Sequence, residues 1–204
     1  MSAARERVLR TASRLFAREG IRAVGVDRIA AEADVGKMTL YRHFATKDEL
    51  LVATLEGADG PARAALAAAM EHAGDDPWAR LLAPFAMLEP WFTGRGFHGC
   101  PFMNASLELH DPGHPATAVA ARHKAATRDV FAVAAGAAGL EAADAGALAD
   151  QLAVLFDGAI AQAQMRDPRT VARAARRAAA TLVTSAAAQE NQATASSGPQ
   201  EPFL

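Results

Sequence analysis

A short stretch near the N-terminus carries the side chains with the most distinctive chemistry. Five of its residues offer hydrogen-bond donors or positive charge: Lys37, Thr39, Tyr41, Arg42 and His43. A guanidinium presents paired donors that match two acceptors of guanine, and a hydroxyl or an imidazole can also reach a base edge. An ammonium or a phenol group suits a phosphate oxygen. The stretch therefore predicts a surface that binds DNA.

Two short helices joined by a tight turn are predicted to hold these side chains outward. In residues 25–44, Ile29 and Ala33 lie four apart. After the turn, Leu40 and Phe44 repeat that spacing. Because residues four apart share one face of an α-helix, both pairs are expected to point inward. A second helix held out by a first one behind it is the helix-turn-helix arrangement, which presents its second helix to the major groove.

The run from Gly20 to Leu50 resembles the N-terminal domain of TetR-family (tetracycline-repressor-like) transcriptional regulators. The residues in register with the family's signature are Leu40, Tyr41, His43, Phe44, Lys47 and Leu50. The resemblance implies an all-α fold, with a helix-turn-helix domain followed by a larger helical domain for ligand binding and dimerisation. It also implies a regulator that is not an enzyme, most often a repressor, which a small-molecule inducer releases from its DNA operator.

Three positions depart from the family's signature. Gly25 stands where members often carry Thr, Asp34 where they usually carry Gly, and Gly36 where they usually carry Ser. Asp adopts the left-handed turn conformation better than most residues, and Gly is an acceptable N-cap, so the fold is expected to be preserved. The changes at residues 25 and 36 leave two of the family's DNA-backbone contacts without their hydroxyl groups.

The predicted DNA contacts include residues that read bases. The full set is Arg28, Lys37, Thr39, Tyr41, Arg42, His43 and Lys47. Within it, Thr39, Arg42 and His43 are expected at base edges. Arg42 is the leading specificity residue, because its rigid fork of donors can recognise guanine.

Phosphate contacts are predicted for Lys37, Tyr41 and Lys47. In the resembling family Lys47 has the place of a phosphate anchor, although its charge alone would equally suit a solvated surface. A first helix is predicted over residues 2–19. Its arginines are as compatible with solvent as with phosphate: Arg5, Arg10, Arg14 and Arg18.

Composition narrows the class of protein. The 204 residues contain one cysteine, Cys100, which excludes an internal disulfide and predicts a cytoplasmic protein. No uncharged apolar run reaches the roughly 18 residues of a membrane span.

The net charge is −2, but residues 1–50 hold 10 Lys and Arg against 7 Asp and Glu, whereas residues 51–204 hold 11 against 16. A basic first domain on an acidic body suits a protein that docks one end on phosphates.

Alanine-rich stretches with helical periodicity predict an all-α protein. Gly57, Gly60 and Pro61 predict a kink or a break in a fourth helix, which runs from residue 47 to about residue 70. The later helices are predicted at residues 76–92, 101–109, 115–138, 143–166 and 169–187. The predicted domains are 1–46 for DNA binding, 47–188 for ligand binding and dimerisation, and 189–204 as a disordered tail.

A glycine-rich loop leads into the short helix at residues 101–109, which mixes large apolar with polar side chains. In the resembling family such mid-body helices line the inducer pocket. The resemblance therefore implies ligand contacts from Phe97, His98, Phe102, Met103, Asn104 and Glu108. The alternative is that the aromatic and methionine side chains belong to the core and the polar ones satisfy loop backbone.

Two other functions remain open for this region. The spacing of His98, Cys100, His110 and His114 fits no closed zinc template, so no metal or cofactor is expected. A helical enzyme could use His98, Cys100 and Glu108, but nothing in the sequence places a base or an oxyanion donor. A structural adaptor would explain the alanine-lined helices but not the polar stretch at residues 37–43.

The last two predicted helices are implied by the resemblance to form a homodimer through a four-helix interface. The intramolecular core is the alternative, and opposite faces could serve both. The helix at 169–187 carries Val171, Ala174, Ala178, Leu182 and Ser185, and the helix at 115–138 carries Val119, His123, Ala126, Val130 and Val133 on one face. A two-fold dimer implies a near-palindromic operator whose half-sites lie about 34 to 36 Å apart.

Overall fold

The computed structural model describes residues 2–196, and the side chains of residues 2–192. Within that range the chain is helical without strands, which confirms the predicted all-α class. The helices are α1 (Ala3–Glu19), α2 (Val26–Glu32), α3 (Lys37–His43), α4 (Lys47–His72), α5 (Pro77–Ala86), α6 (Leu88–Phe92), α7 (Pro101–Leu109), α8 (Pro115–Ala137), α9 (Ala142–Gln162) and α10 (Pro168–Ser196).

The chain forms two compact units. Unit 1 contains the described residues up to Ala65 and Gly96–Ala126, and unit 2 contains Leu66–Arg95 and the described residues from Thr127 onward. Helices α4 and α8 each contribute their first part to unit 1 and their last part to unit 2. The boundary predicted between residues 46 and 47 separates DNA binding from ligand binding rather than two compact units, and it stays a prediction.

The first three helices of unit 1 pack around one apolar core. Helix α1 buries a stripe at helical spacing, and α2 and α3 cover it with the residues that the sequence predicted to point inward. The buried members are Val8, Ala12, Leu15, Phe16, Ile29, Ala33, Leu40 and Phe44. The N-cap of α1 is Ser2, whose hydroxyl accepts from the Arg5 N–H, and its C-cap is Gly20, which has a φ of 87°. This packing fixes which face of α3 is left outward.

Unit 2 is centred on three aromatic rings. The ring of Phe85 lies 6.0 Å from that of Phe131 and 5.7 Å, edge to face, from that of Phe156. Such tilted and edge-to-face pairs add stability beyond the buried area. Helix α10 packs against α5, α6 and α9 in the same unit.

The structure shows no break in α4, where a kink or a break was predicted, and it divides one other predicted helix. Helix α4 runs without a break through Pro61, although the carbonyl of Gly57 thereby loses its helical donor. The single helix predicted at residues 76–92 is divided at Met87 into α5 and α6. Pro90 is accommodated because it lies in the first turn of α6, where its missing N–H has no partner to lose.

The stripe predicted on α8 is wrong at its end, since Val133 is 74% exposed. The buried stripe passes instead through Thr127, Phe131 and Ala134, because an alanine-rich helix has apolar residues on every side and periodicity alone does not mark the core face. Helix α10 also continues to Ser196, past the tail predicted from residue 189, since the segment contains good helix formers. Residues 197–204 of that tail lie outside the described residues.

No helix in the described range is long and apolar enough to cross a membrane.

Candidate nucleic-acid interface

The outward face of α3 is set by the burial of Leu40. Successive helical residues are rotated by about 100°, so Met38 and Arg42 both lie about 160° from Leu40. Both are exposed, and Met38 is 80% exposed. Thr39 and His43 lie on one flank and are half-buried, whereas Lys37 and Tyr41 lie on the other flank and are exposed. Helix α3 thus presents an apolar and a cationic side chain directly outward, with polar groups on both sides.

Two of the predicted contacts on α3 have intramolecular partners. Lys37 Nζ lies 2.6 Å from Asp27 Oδ1 on α2, and this hydrogen bond raises the pKa of Lys37. His43 Nε2 lies 3.3 Å from the Ser2 hydroxyl, which also caps α1. Arg42, in contrast, has no hydrogen-bond or ion-pair partner in the described structure.

Arg28 is held by two carboxylates on the side of the domain formed by α1 and α2. Its guanidinium donates to Glu19 through two nitrogens and to Glu32 Oε1 at 2.9 Å. Arg14 also donates to Glu32, at 2.6 Å. The hydrogen bond from Arg28 lowers the pKa of Glu19. The pKa of Glu32 is lowered first by the hydrogen bond from Arg14 and then by that from Arg28. The two carboxylates in turn raise the pKa of Arg28. The guanidinium predicted to contact DNA is therefore already engaged.

The turn between α2 and α3 has the conformation expected from its unusual residues. Asp34 adopts a φ of 52°, in the left-handed region that the sequence predicted for it. Gly25 and Gly36 are the N-caps of α2 and α3, and neither helix start has a side-chain cap. Arg7 donates to the carbonyls of Ala33 and Asp34 at 3.0 and 3.1 Å and so ties the turn to α1. Sequence reasoning missed Arg7, since its partners lie 26 and 27 residues away.

Lys47 is the first residue of α4 and lies three residues beyond Phe44, the C-cap of α3. Thr46 caps α4, because its hydroxyl accepts from the Glu49 N–H at 3.0 Å. The Glu49 carboxylate accepts in turn from the Ala45 N–H at 2.8 Å. The ammonium of Lys47 lies 6.0 Å from the ring centre of Phe16, at the limit of a cation–π contact. The start of α4 is thus fixed, with a cation at its first residue.

Two of the polar residues predicted to contact a ligand, Asn104 and Glu108, bond to backbone groups of the chain. The Glu108 carboxylate accepts from the Ile21 and Arg22 N–H groups at 2.7 and 2.6 Å. Asn104 Nδ2 donates to the carbonyl of His98 at 2.9 Å. These bonds match the alternative reading of the sequence, in which the polar groups satisfy loop backbone. A ligand contact by either residue stays a prediction.

The apolar residues of the predicted ligand stretch differ in burial. Phe102 is fully buried and stacks on His123, with ring centres 3.7 Å apart. Phe97 and Met103 are half-buried, whereas His98 is exposed. An open cleft of about 790 Å³ lies elsewhere in unit 1, between α1, α2 and α4, and none of the six predicted ligand residues lines it.

His114, directly before α8, and His123 on α8 each pair with a carboxylate of α4. His114 Nε2 lies 3.4 Å from Asp48 Oδ2, and His123 Nδ1 lies 2.7 Å from Asp59 Oδ1. Because Phe102 on α7 stacks on His123, the helices α4, α7 and α8 meet within unit 1. Together with the bonds of Glu108, these contacts connect the stretch around α7 to α4, to α8 and to the turn between α1 and α2.

Cys100 is a free, buried thiol at the N-cap of α7. A buried cysteine of this kind packs as a small apolar side chain. The acid of the enzymatic alternative, Glu108, is bonded to backbone N–H groups. Across the part of the chain that the structure describes, no three His, Cys, Asp or Glu side chains are grouped to hold a metal ion.

Comparison with known proteins places this geometry in a family. The family model for bacterial regulatory proteins of the tetR family matches residues 8–54, which include the last twelve residues of α1 and all of α2 and α3. The chain is 38% identical over 56 residues to YerO of Bacillus subtilis, an uncharacterized HTH-type transcriptional regulator. That match covers 28% of this chain and only 19% of YerO.

Solved structures extend the similarity over nearly the whole chain. SCO4454, a TetR-family transcriptional regulator from Streptomyces coelicolor, is 34% identical with a TM-score of 0.85, over 92% of this chain and 97% of that one. The multidrug binding protein EbrR, solved in complex with malachite green, is 25% identical with a TM-score of 0.68, over 86% of this chain and 96% of that one.

Proposed function

This chain belongs to the TetR family of transcriptional regulators, and we propose that it is a homodimeric repressor that a small molecule releases from a near-palindromic operator. The observation that carries the proposal is the outward face of α3, where Arg42 is exposed without an intramolecular partner. A guanidinium in that position can donate to both acceptors of a guanine. A regulator of this kind acts at the chromosome, so the proposal also places it in the cytoplasm.

The proposed DNA contacts fall into three groups. Arg42 reads base edges, with Thr39 and His43 beside it. Tyr41 and Lys47 hold phosphates, because both lie at the edge of the reading surface and neither has a carboxylate partner in the described structure. Lys37 and Arg28 are weaker members of the set, since each would first have to leave its carboxylate. The proposal therefore retains every predicted residue but expects the largest effects from Arg42 and Lys47.

The proposed ligand response involves the segment from Phe97 to Glu108. EbrR, which has the same fold, was solved with malachite green, and this supports the proposal that this chain also binds a small molecule. The half-buried apolar side chains of Phe97 and Met103 are suited to such a ligand. A shift of the segment would then be transmitted to the rest of unit 1 through its other residues, which are His98, Phe102, Asn104 and Glu108.

A route for coupling follows from the contacts of Glu108. A ligand that displaces α7 would disturb the turn between α1 and α2, because Glu108 is bonded to that turn. The operator affinity falls only if the ligand binds the DNA-incompetent arrangement more tightly. By linkage, the operator must then weaken ligand binding by the same factor.

The proposed dimer forms through α9 and α10. Helix α10 buries one face within unit 2, at Val171, Ala175, Ala179 and Val183. Its Ala174 and Ala178 are exposed, and Val154 on α9 is 73% exposed. Small exposed side chains allow two helices to approach closely, so opposite faces of α10 can serve the core and a partner. A two-fold dimer would place two α3 helices in successive major grooves.

Selection from random duplex DNA tests the function directly. The full-length chain is expected to enrich an inverted repeat whose half-sites lie about one helical turn apart. Its affinity for that repeat should exceed the affinity for a scrambled duplex and fall steeply with salt. Compounds that shift the melting temperature are then added to the complex, and at least one is expected to weaken operator binding. Failure to enrich any sequence would refute the proposal.

A further inference from the structure

We propose that Met38 is a specificity residue that packs on the C5 methyl group of a thymine in the major groove. The inference rests on the proposed function, in which α3 is the helix that enters the groove. Neither the family comparison nor the donor chemistry of residues 37–43 assigns this side chain a role. It is the most exposed of the large apolar side chains in the described structure, at 80%.

The position of Met38 supports a contact with bases rather than with protein. Met38 lies directly opposite Leu40, the residue that anchors α3 in the core. It is the second residue of α3, and the N-terminal residues of a reading helix are those that reach base edges. A single exposed apolar residue is common on protein surfaces. Its place at the centre of the outward face is what distinguishes this one.

The chemistry of the major groove selects thymine as the partner. Thymine is the base that presents a methyl group there, and apolar side chains read it by contact. Methionine is unbranched and flexible, so it can adapt to a methyl group without a fixed geometry. It offers no hydrogen-bond donor, which makes the polar edge of guanine or cytosine a poor partner.

The spacing of Met38 and Arg42 locates the thymine. The two residues are one turn apart on the same face, about 6 Å along the helix axis, which corresponds to roughly two base-pair steps of 3.4 Å. Each half-site should therefore contain a methyl-sensitive thymine within about two base pairs of the guanine read by Arg42.

Replacement of single thymines by deoxyuridine tests the contact, because deoxyuridine lacks only the methyl group. The probe is the operator selected from random DNA by the full-length chain. Wild-type protein is expected to lose about fourfold in affinity at one thymine per half-site, the equivalent of one methyl group. Met38→Ala should bind the thymine and deoxyuridine duplexes equally at that position, whereas Met38→Leu should still distinguish them.

Leu107→Ala is the matched control, since Leu107 is also a large exposed side chain, at 68%, but lies on α7. It should keep the wild-type response to deoxyuridine. The inference is overturned if no thymine is methyl-sensitive in wild type, or if Met38→Ala keeps the same sensitivity. Because the first result needs no variant, a folding defect cannot obscure it. If no sequence is selected at all, the proposed function fails as well, and the two failures are thereby distinguished.

Discussion

Arg22 in the turn after α1 and Glu108 near the end of α7 lie 86 residues apart in sequence, and the Arg22 N–H donates to Glu108 Oε1 at 2.6 Å. The Ile21 N–H donates to the other carboxylate oxygen at 2.7 Å. The guanidinium of Arg22 reaches the carbonyl of Leu109 at 3.1 Å. Gly20 leaves room for this carboxylate, because a Cβ at residue 20 would lie 3.2 Å from one of its oxygens. One side chain of α7 therefore fixes the turn between α1 and α2, directly before the helix-turn-helix.

Glu108→Ala is expected to lower the free energy of unfolding by about 1–3 kcal/mol, because two backbone donors lose their acceptor. Glu108→Gln, which keeps one acceptor oxygen, should lie between this variant and wild type. Thermal unfolding without ligand measures the effect, and Leu107→Ala on the exposed side of α7 is the control. A Glu108→Ala protein with wild-type stability and a weaker response to inducer would assign Glu108 to the ligand instead.

Arg42→Ala is expected to lower affinity for the selected operator by about 1–3 kcal/mol and to relax the base preference at one position per half-site. The reason is that Arg42 is exposed on the outward face of α3. Repeated selection with the variant measures the preference. Arg95→Ala, which removes an exposed arginine outside the helix-turn-helix, is the control. An unchanged consensus and affinity would show that Arg42 does not read bases.

Lys47→Ala should weaken binding about equally for all DNA sequences, because a phosphate contact carries no base information. The logarithmic salt dependence should become shallower by about 0.9 per lost contact, or about two units for a dimer. Titrations of operator and scrambled duplex over a range of salt concentrations measure both effects. Lys124→Ala serves as the control lysine. A loss confined to the operator would contradict the assignment.

The Arg28→Ala variant is expected to lose less stability than wild type as the pH falls. Glu19 and Glu32 have pKa values below their ordinary 4.5, so the unfolded chain binds more protons than the folded one at low pH. Their stabilisation is complete above that value and is lost as pH falls through the lower folded-state pKa values. Melting temperatures between about pH 6 and pH 3 should therefore fall less steeply in the variant than in wild type or Arg95→Ala. Parallel curves would exclude this role.

The helix-turn-helix was predictable because its determinants are local. Leu40 and Phe44 repeat an inward spacing, and both are buried. Asp34 takes the positive φ that a turn requires at that position. Helix α7 likewise has its predicted bounds, since Pro101 starts it and His110, with a φ of 55°, ends it. Each of these features depends on residues within one or two turns of one another.

The remaining features depend on partners that are distant in sequence. Nothing near Glu108 indicates that it will bond to Arg22. The pairing of Arg28 with Glu32 follows the four-residue rule, but its second partner, Glu19, belongs to another helix. Exposure of Val133 was missed because the alanine-rich sequence of α8 does not distinguish the core face from the others. The outward position of Met38 could have been found by rotating α3 about Leu40.

The proposed dimer interface can be tested with two valines that differ in position but not in exposure. Val154 on α9 is 73% exposed and Val133 on α8 is 74% exposed. Val154→Glu would place an unpaired charge in an interface formed by α9 and α10, where its desolvation opposes association. Val133→Glu would place the same charge on a helix outside that interface.

Val154→Glu is therefore expected to be monomeric at concentrations where wild type and Val133→Glu are dimeric, as measured by light scattering or sedimentation. Because a monomer engages one half-site only, its operator affinity should fall towards that of wild type for a single half-site. Both variants should keep the wild-type helical content, since neither valine belongs to the core. Two dimeric variants would exclude Val154 from the interface, and a monomeric Val133→Glu with a dimeric Val154→Glu would move the interface to α8.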